Sequence, residues 1–432
     1  MGIVVTYLWK PVFTPIIDKQ LQTDIRVVYM SIGGRRESKS PMMKILITSP
    51  FYPPDIGGIS YHVENLATRL ARRGWAVKVL TCTRKRPFRR RFGNMDVEAV
   101  RGIYPPTWPL QTMSSFSIPI GFSKRFLDSV HDFKPDLIHL HGHHYPITWL
   151  GAALAHACRL PALLTLHGMY ALNPYSPYGK SFPEEIFNRT IFTTLLQICN
   201  AVIGLGKAAV EYAQKFILEP RPFYIIPNGI DVERYLGSLQ RRFEFREKYG
   251  LPRQSKIVLF TGRFTYAKGV LELAESARYF HSEGAKVIFL LAGSGPLQRR
   301  LLDISERLEN LIVLDWVPSD RIHELYVASD IFALPSKWEA QPVSVIEAMA
   351  SHLQVVATPV GDVPSVLEGY PRKNFIKGFR SIDITEAVKQ AISRLNEGSR
   401  PDPRVVEYVR NFDWNMVVSR NEAVYLRVVG QH

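Results

Sequence analysis

Glu339-Ala340-Gln341-Pro342-Val343-Ser344-Val345-Ile346-Glu347 is the stretch on which the reading of this chain turns. It joins an apolar run, Ile331 to Leu334, that reads as a buried strand, to an apolar helical pattern. Pro342 suits the first helical position, and the backbone N–H groups of the residues beyond it form an anion site at the strand's carboxyl end. Glu347 lies a turn further along, where a carboxylate accepts hydrogen bonds from two vicinal hydroxyls such as those of a ribose. Glu339, in the loop, can do the same for a sugar ring. Taken alone, the two acids read as helix-start carboxylates favoured by the dipole, and the neighbouring segments turn the reading toward a binding site.

The nearest of these segments is Thr261-Gly262-Arg263-Phe264-Thr265-Tyr266-Ala267-Lys268-Gly269, directly after a strand-like run Ile257 to Phe260. Arg263 and Lys268 stand where a strand opens into a loop, a position from which a forked guanidinium and a point charge can reach a diphosphate. A salt bridge to a neighbouring carboxylate is the alternative. Further strands are expected at Lys286 to Leu291, Leu311 to Leu314 and Val355 to Ala357, each followed by a helical pattern.

The same alternation runs through the first half. Lys44 to Thr48 reads as a buried strand, and a loop of Pro50, Pro53, Pro54, Gly57 and Gly58 follows. Ser60 is the expected cap of a helix whose apolar face is Val63, Leu66, Ala67 and Leu70. Strands then follow at Ala76 to Thr81, Leu137 to His141, Ala162 to Leu166, Ala201 to Ile203 and Phe223 to Ile226. At 432 residues the chain exceeds what one core usually supports. The expected division is an N-terminal extension over 1–42 that need not be native, one α/β domain over 43–228, a second over 229–413, and a last helix within 414–432. The turn Pro227-Asn228-Gly229-Ile230-Asp231 marks the boundary.

Two weaker candidates lie at strand ends of the first half. Gly57 and Gly58 let the backbone approach a bulky anion, although a loop needing positive φ explains them equally well. His167, after Ala162 to Leu166, can hydrogen-bond a sugar hydroxyl or stabilise charge in a transition state, or it can serve the local backbone. His139, His141, His143 and His144 suggest a metal because the first three are expected to alternate along one strand face, but they are not assigned to one, since no nearby acid or cysteine completes a site and strand-end histidines commonly satisfy backbone groups.

Composition bounds the remainder. Cys82, Cys158 and Cys199 are widely spaced without a CxxC pair, which suggests neither disulfides nor zinc and fits a reducing compartment. No apolar stretch reaches the roughly 20 residues of a spanning helix. A formal charge of +15 draws the protein toward polyanions. Arg84, Lys85, Arg86, Arg89, Arg90 and Arg91, interleaved with Phe88 and Phe92, suit an anionic bilayer or an acceptor, or are a solvated loop.

In combination these motifs, with Ala292-Gly293-Ser294-Gly295-Pro296 and Glu347-Ala348-Met349-Ala350, resemble the retaining glycosyltransferases of family 4 (glycosyl transferases group 1). The resemblance implies the α/β GT-B fold, two facing Rossmann-like domains with parallel sheets and an interdomain cleft, and a last helix crossing back to the first domain. It implies transfer of a hexose-type sugar from a UDP- or GDP-linked donor to a lipid-linked, glycan or small-molecule acceptor, with retention and with no metal or other cofactor required.

By the same resemblance Arg263 and Lys268 hold the diphosphate, Glu347 the ribose and Val317 the base. Glu339 and the backbone of Ala340, Gln341, Pro342 and Val343 take the transferred sugar, with His167 near the reacting centre. The expected location is cytoplasmic, peripheral at the membrane. The chain departs from the family pattern at Ala340 and Gln341, where glycine and an apolar residue are preferred, and at Asp315. It departs again at Gly361-Asp362-Val363-Pro364-Ser365, which replaces a double glycine and following glutamate. The rival readings are a GT-B epimerase or hydrolase acting without acceptor, and a basic nucleic-acid-binding protein, which no recognised nucleic-acid module supports.

Overall fold

The computed structural model describes residues 42–55, 57–103, 117–168, 182–237, 239–395 and 402–431. The expected extension therefore lies outside the described residues except for Met42.

The first half is built on strands β1 (Lys44–Ser49), β2 (Ala76–Thr83), β3 (Phe88–Phe92), β4 (Met95–Ile103), β5 (Ile118–Pro119), β6 (Leu137–His141), β7 (Ala162–Leu166), β8 (Ala201–Gly204) and β9 (Phe223–Ile225). Among the described residues they form one sheet in the order β3-β4-β2-β1-β6-β7-β8-β9, with β5 on β4. Helix α1 (Gly58–Arg72) follows β1 and helix α2 (Lys207–Ala213) follows β8. The second half carries β10 (Lys256–Thr261), β11 (Val287–Ala292), β12 (Leu311–Leu314), β13 (Ile331–Leu334), β14 (Gln354–Ala357) and β15 (Lys373–Phe375) in the order β12-β11-β10-β13-β14-β15. Helix α3 (Val270–Ser282) follows β10, and α4 (Val343–Ala350) lies between β13 and β14. A last helix, α5 (Trp414–Gly430), ends the described chain.

The central strands are parallel and covered on both faces, which is why they read as continuous apolar runs: every residue of β2, β6, β7 and β13 is buried. On α1 the stripe Val63, Leu66, Ala67 and Leu70 is fully buried, the i, i+3, i+4, i+7 face that helical geometry predicts. Its start differs from expectation. The helix begins at Gly58 with Gly57 as N-cap, so Ser60 is inside the first turn and buried, not a cap.

The larger correction concerns the basic segment, whose second half is a strand while Arg84, Lys85 and Arg86 remain in the loop before it. Phe88–Phe92 pairs antiparallel with β4, Phe92 opposite Met95, across the two-residue turn Gly93-Asn94. That dipeptide was a readable hairpin signal, obscured by the arginine run. The sheet is therefore mixed at this edge, because β5 also pairs antiparallel with β4.

The chain passes between the halves at two adjacent strands. Ile230 bridges Asp413, with Ile230 N–H donating to Phe412 O (2.9 Å) and Trp414 N–H to Ile230 O (3.1 Å). Beyond that crossing, Trp414, Val417, Val418, Val424, Tyr425 and Val428 of α5 share one core with Ile45, Ile47, Val63 and Leu66 of the first half. Asp413 caps α5 by accepting from Asn415 N–H (2.8 Å). The Trp75 indole N–H donates to Glu422 (2.9 Å), fixing the helix to the end of α1.

Candidate active site

The carboxyl ends of β10 and β13 bring the two acidic and cationic loops together. After β10 the chain turns so that Phe264 is fully buried and Arg263 is exposed. Among the described residues no carboxylate pairs with Arg263. Lys268 stands on a single 3-10 turn ended by Gly269, whose φ of +67° and contact with Pro335 O exclude any side chain. The tight approach to Pro335 delivers Lys268 to the loop after β13, where its ammonium donates to Glu339 Oε1 at 2.5 Å. Ser336 Oγ donates to the same oxygen at 2.6 Å, and Lys337 N–H binds Ala267 O at 2.8 Å, so the two loops are laced together.

Glu347 occupies the next turn of chain. Helix α4 begins at Val343, with Pro342 as its N-cap at φ −74°, one residue earlier than the first-helical position expected. Glu347 then points toward β10, where Tyr235 Oη–H donates to its Oε1 at 2.5 Å and Tyr326 also bonds it. Tyr326 Oη in turn pairs with Thr261 Oγ1 (2.5 Å), the last residue of β10. Burial raises the Glu347 carboxyl above its ordinary value, opposed by the two tyrosine hydrogen bonds. Val317, half-buried after β12, lies on the same side of the sheet beyond the exposed Trp316.

The first half faces this assembly with His167 and Gly168. A β-carbon on Gly168 would stand 3.2 Å from the Ala340 methyl, so the residue after His167 meets the residue after Glu339 across the cleft. His167 Nε2 shares a hydrogen bond with His141 Nδ1 (2.9 Å). Burial, then the neighbouring His62 and His139, hold His167 well below its usual pKa, so it is a neutral hydrogen-bonding group rather than an imidazolium at pH 7. Gly57 and Gly58 are exposed at the start of α1, and a β-carbon at either meets nothing within 4 Å. Neither has a left-handed φ, Gly57 being extended at 162°, so the loop-geometry alternative for them falls away.

The histidines sort differently from expectation. His139 is spent on Tyr425 Oη (2.8 Å) and Thr165 Oγ1 (2.7 Å). His143 lies beyond the end of β6 rather than on its face. The histidine next to it, His144, has Glu184 at 3.5 Å, so an acid is close after all. The group that could hold a cation includes a residue the sequence did not suggest: His62, His141 and His167 each offer a nitrogen, all within 4.8 Å of one another. His62 sits on the buried side of α1 and its Nδ1 is bonded to Asn228 Oδ1 (3.1 Å).

Tyr235, Tyr326, Ser336 and His62 were thus missed. Only His62, a polar residue adjoining an apolar helical stripe, carried a local signal. The cysteines are free, and among the described residues no helix is long and apolar enough to cross a membrane. Arg84, Lys85, Arg86, Arg89, Arg90 and Arg91 are all exposed. Arg89 is held by Asp96 through two bonds (3.1 and 2.6 Å), and Arg90 lies over the half-buried Phe88 ring, leaving Phe92 as the exposed aromatic of the strand.

Comparison with known proteins gives this geometry its context. The family models described as Glycosyltransferase Family 4 and Glycosyl transferases group 1 match residues 56–234 and 241–403. The putative teichuronic acid biosynthesis glycosyltransferase TuaC of Bacillus subtilis (strain 168) is 31% identical over 276 residues. That alignment takes in 64% of this chain and 65% of the Bacillus protein, so the chain spans just under two thirds of that relative's length. Sucrose-phosphate synthase from Thermosynechococcus elongatus superposes with a TM-score of 0.72 at 18% identity, over 90% of this chain and 100% of that one. HepE of Anabaena in complex with UDP superposes with a TM-score of 0.67 at 17% identity, over 89% and 100%. Matched in both halves and in the fold that joins them, the chain belongs to the group 1 glycosyltransferases of the GT-B fold.

Proposed function

We propose that the chain moves a hexose-type sugar from a UDP- or GDP-linked donor onto a glycan or lipid-linked acceptor, with retention of configuration and without a metal. The observation that carries this reading is the contact of Lys268 with Glu339 at the mouth of a cleft whose opposite wall is His167-Gly168. A pyrophosphate laid there meets Arg263 and Lys268, and its charge is met without a cation cofactor. The ribose hydroxyls reach Glu347, the base lies by Val317, and the sugar rests against Glu339 and the amides of Ala340, Gln341 and Val343.

The proposed step uses no protein nucleophile. In the proposed step the bond from the anomeric carbon to the leaving phosphate oxygen breaks, and the acceptor oxygen bonds the same face of the sugar. The acceptor's proton passes to the departing phosphate. Neutral His167 donates a hydrogen bond to the sugar, and Arg263 and Lys268 stabilise the phosphate as it gains charge. The UDP of HepE and the teichuronic acid named for TuaC support a nucleotide donor and a glycan acceptor. Proton NMR of the product tests the reading: an α-linked donor should yield an α-linked product, at the same rate with and without EDTA. An inverted product refutes retention, free sugar as the product indicates hydrolysis without transfer, and loss of activity with EDTA refutes metal independence.

The proposed location is the cytoplasm, at an anionic membrane surface. Arg84, Lys85 and Arg86 follow β2 at the cleft end of the sheet, and the exposed Ile103, Ile118 and Ile120 stand at the same end of β4 and β5. Basic residues contribute about 1 kcal/mol each at such a surface. In flotation assays the protein should rise with vesicles containing phosphatidylglycerol and not with neutral ones. An Arg84→Glu/Lys85→Glu/Arg86→Glu variant should stay at the bottom, whereas equal flotation of both proteins would rule out this patch.

A further inference from the structure

Two polar side chains of the second half are bonded to backbone of the first, at Asn228 and at the turn into α2. Gln341, 8% exposed, accepts from Asn228 N–H through Oε1 (2.6 Å), and its Nε2 donates to Leu205 O. Asp362, 4% exposed, accepts from Ala208 N–H through Oδ1 (2.8 Å) and also from Lys207 N–H. Gly206 lies between them with no room for a β-carbon against the Asp362 carboxylate. The segment 205–208 is thus held at both ends by side chains of the other half.

Both holders are tied to the candidate site. Asp362 N–H donates to Ala340 O (3.0 Å), and Gly361, at φ +56°, is pressed on Glu339 O, so the loop carrying Asp362 is fixed to the Glu339 loop. On the other wall, Leu205 N–H donates to Leu166 O (3.4 Å), the residue before His167. A continuous set of contacts therefore runs from Glu339 through Gln341 and Asp362 to the strand end that carries His167.

We propose that Gln341 and Asp362 are positioning residues for sugar transfer: through loop 205–208 they hold the two walls in register, setting His167 against the Glu339 loop. The proposal rests on the donor-cleft reading for its catalytic consequence, but the register itself exists without ligand. Buried side-chain bonds to backbone are costly to leave half-made, so removing both favours parting of the walls. The groups assigned to the nucleotide, Arg263, Lys268 and Glu347, lie on one wall and do not depend on the register. The sugar and acceptor require both walls.

The test compares the wild type with Gln341→Ala/Asp362→Ala, and with Asp362→Asn, which retains an acceptor for Ala208 N–H. In small-angle scattering without ligand, the double variant should show a larger radius of gyration. In hydrogen exchange, the amides of 205–213 should exchange at least about tenfold faster, with Asp362→Asn close to wild type. UDP affinity should change less than about twofold, while UDP release from UDP-glucose with a glycan acceptor should fall about tenfold, as the competent population falls. Unchanged scattering and exchange in the double variant would overturn the proposal whatever the donor. An absence of binding of UDP, GDP and their glucose and mannose derivatives by the wild type would instead count against the donor-cleft reading, with the scattering and exchange results still deciding the register.

Discussion

Replacing Lys268 with alanine should lower the rate of sugar transfer by about 100- to 1000-fold, the range seen when a donor aimed at developing charge is removed. An ammonium has three N–H donors, so Lys268 can keep its bond to Glu339 while donating to a phosphate oxygen. As the bond to the sugar breaks, charge accumulates on that phosphate, and a fixed cation there is worth more in the transition state than in the bound donor. The substitution has a second effect. Glu339, 6% exposed, would keep only Ser336 as a partner among the described residues, so stability should fall by about 1–3 kcal/mol. Lys268→Ala/Glu339→Gln removes the stranded charge and should recover most of the melting temperature without recovering the rate. Steady-state rates and calorimetric melting of the three proteins check both statements. Recovery of rate along with stability would show that Lys268 serves only as a salt-bridge partner.

Glu347 should control nucleotide affinity. Its alanine variant is expected to bind UDP or GDP, whichever the wild type prefers, about 10- to 100-fold more weakly, because two charge-assisted hydrogen bonds to the ribose are lost. Stability should fall by about 1–3 kcal/mol, since the buried Tyr235 Oη–H loses the carboxylate that accepts from it. The raised pKa adds a pH signature. Only the ionised carboxylate accepts from both ribose hydroxyls, and a carboxyl raised above 4.5 takes up its proton earlier as pH falls. Affinity should therefore decline on acidification at a higher pH than for an ordinary glutamate. Glu347→Gln should bind at an intermediate level and be flat over that window. Isothermal titration between pH 7 and 4.5 distinguishes these outcomes, and an identical pH slope in the glutamine variant would assign the effect elsewhere.

What the sequence revealed of the fold follows from how the strands are buried. Strands covered on both faces, such as Leu137–His141 and Ala162–Leu166, are uniformly apolar apart from histidine and threonine, and their limits were readable to the residue. The edge hairpin of β3 and β4 was not. Phe88–Phe92 is exposed at all but one position, so its composition is that of a loop, and its pairing shows only in the Gly93-Asn94 turn.

The site divides along similar lines. Lys268, Glu339 and Glu347 sit in loops and a helix start directly after strands, where local sequence fixes position. Tyr235 and Tyr326 reach Glu347 from segments 112 and 21 residues away, a proximity that only tertiary packing creates. The roles of Gln341 and Asp362 were hidden for the same reason, as their partners at 205–208 belong to the other half of the molecule.

The central claim is that a nucleoside diphosphate lies between cations at one loop and acids at the neighbouring helix. Its most direct test is a thermal-shift screen of the wild type, Lys268→Ala and Glu347→Ala against UDP-, GDP- and ADP-sugars. One nucleotide class should raise the melting temperature of the wild type, and both variants should lose most of that rise. Equal rises in all three proteins would contradict the account.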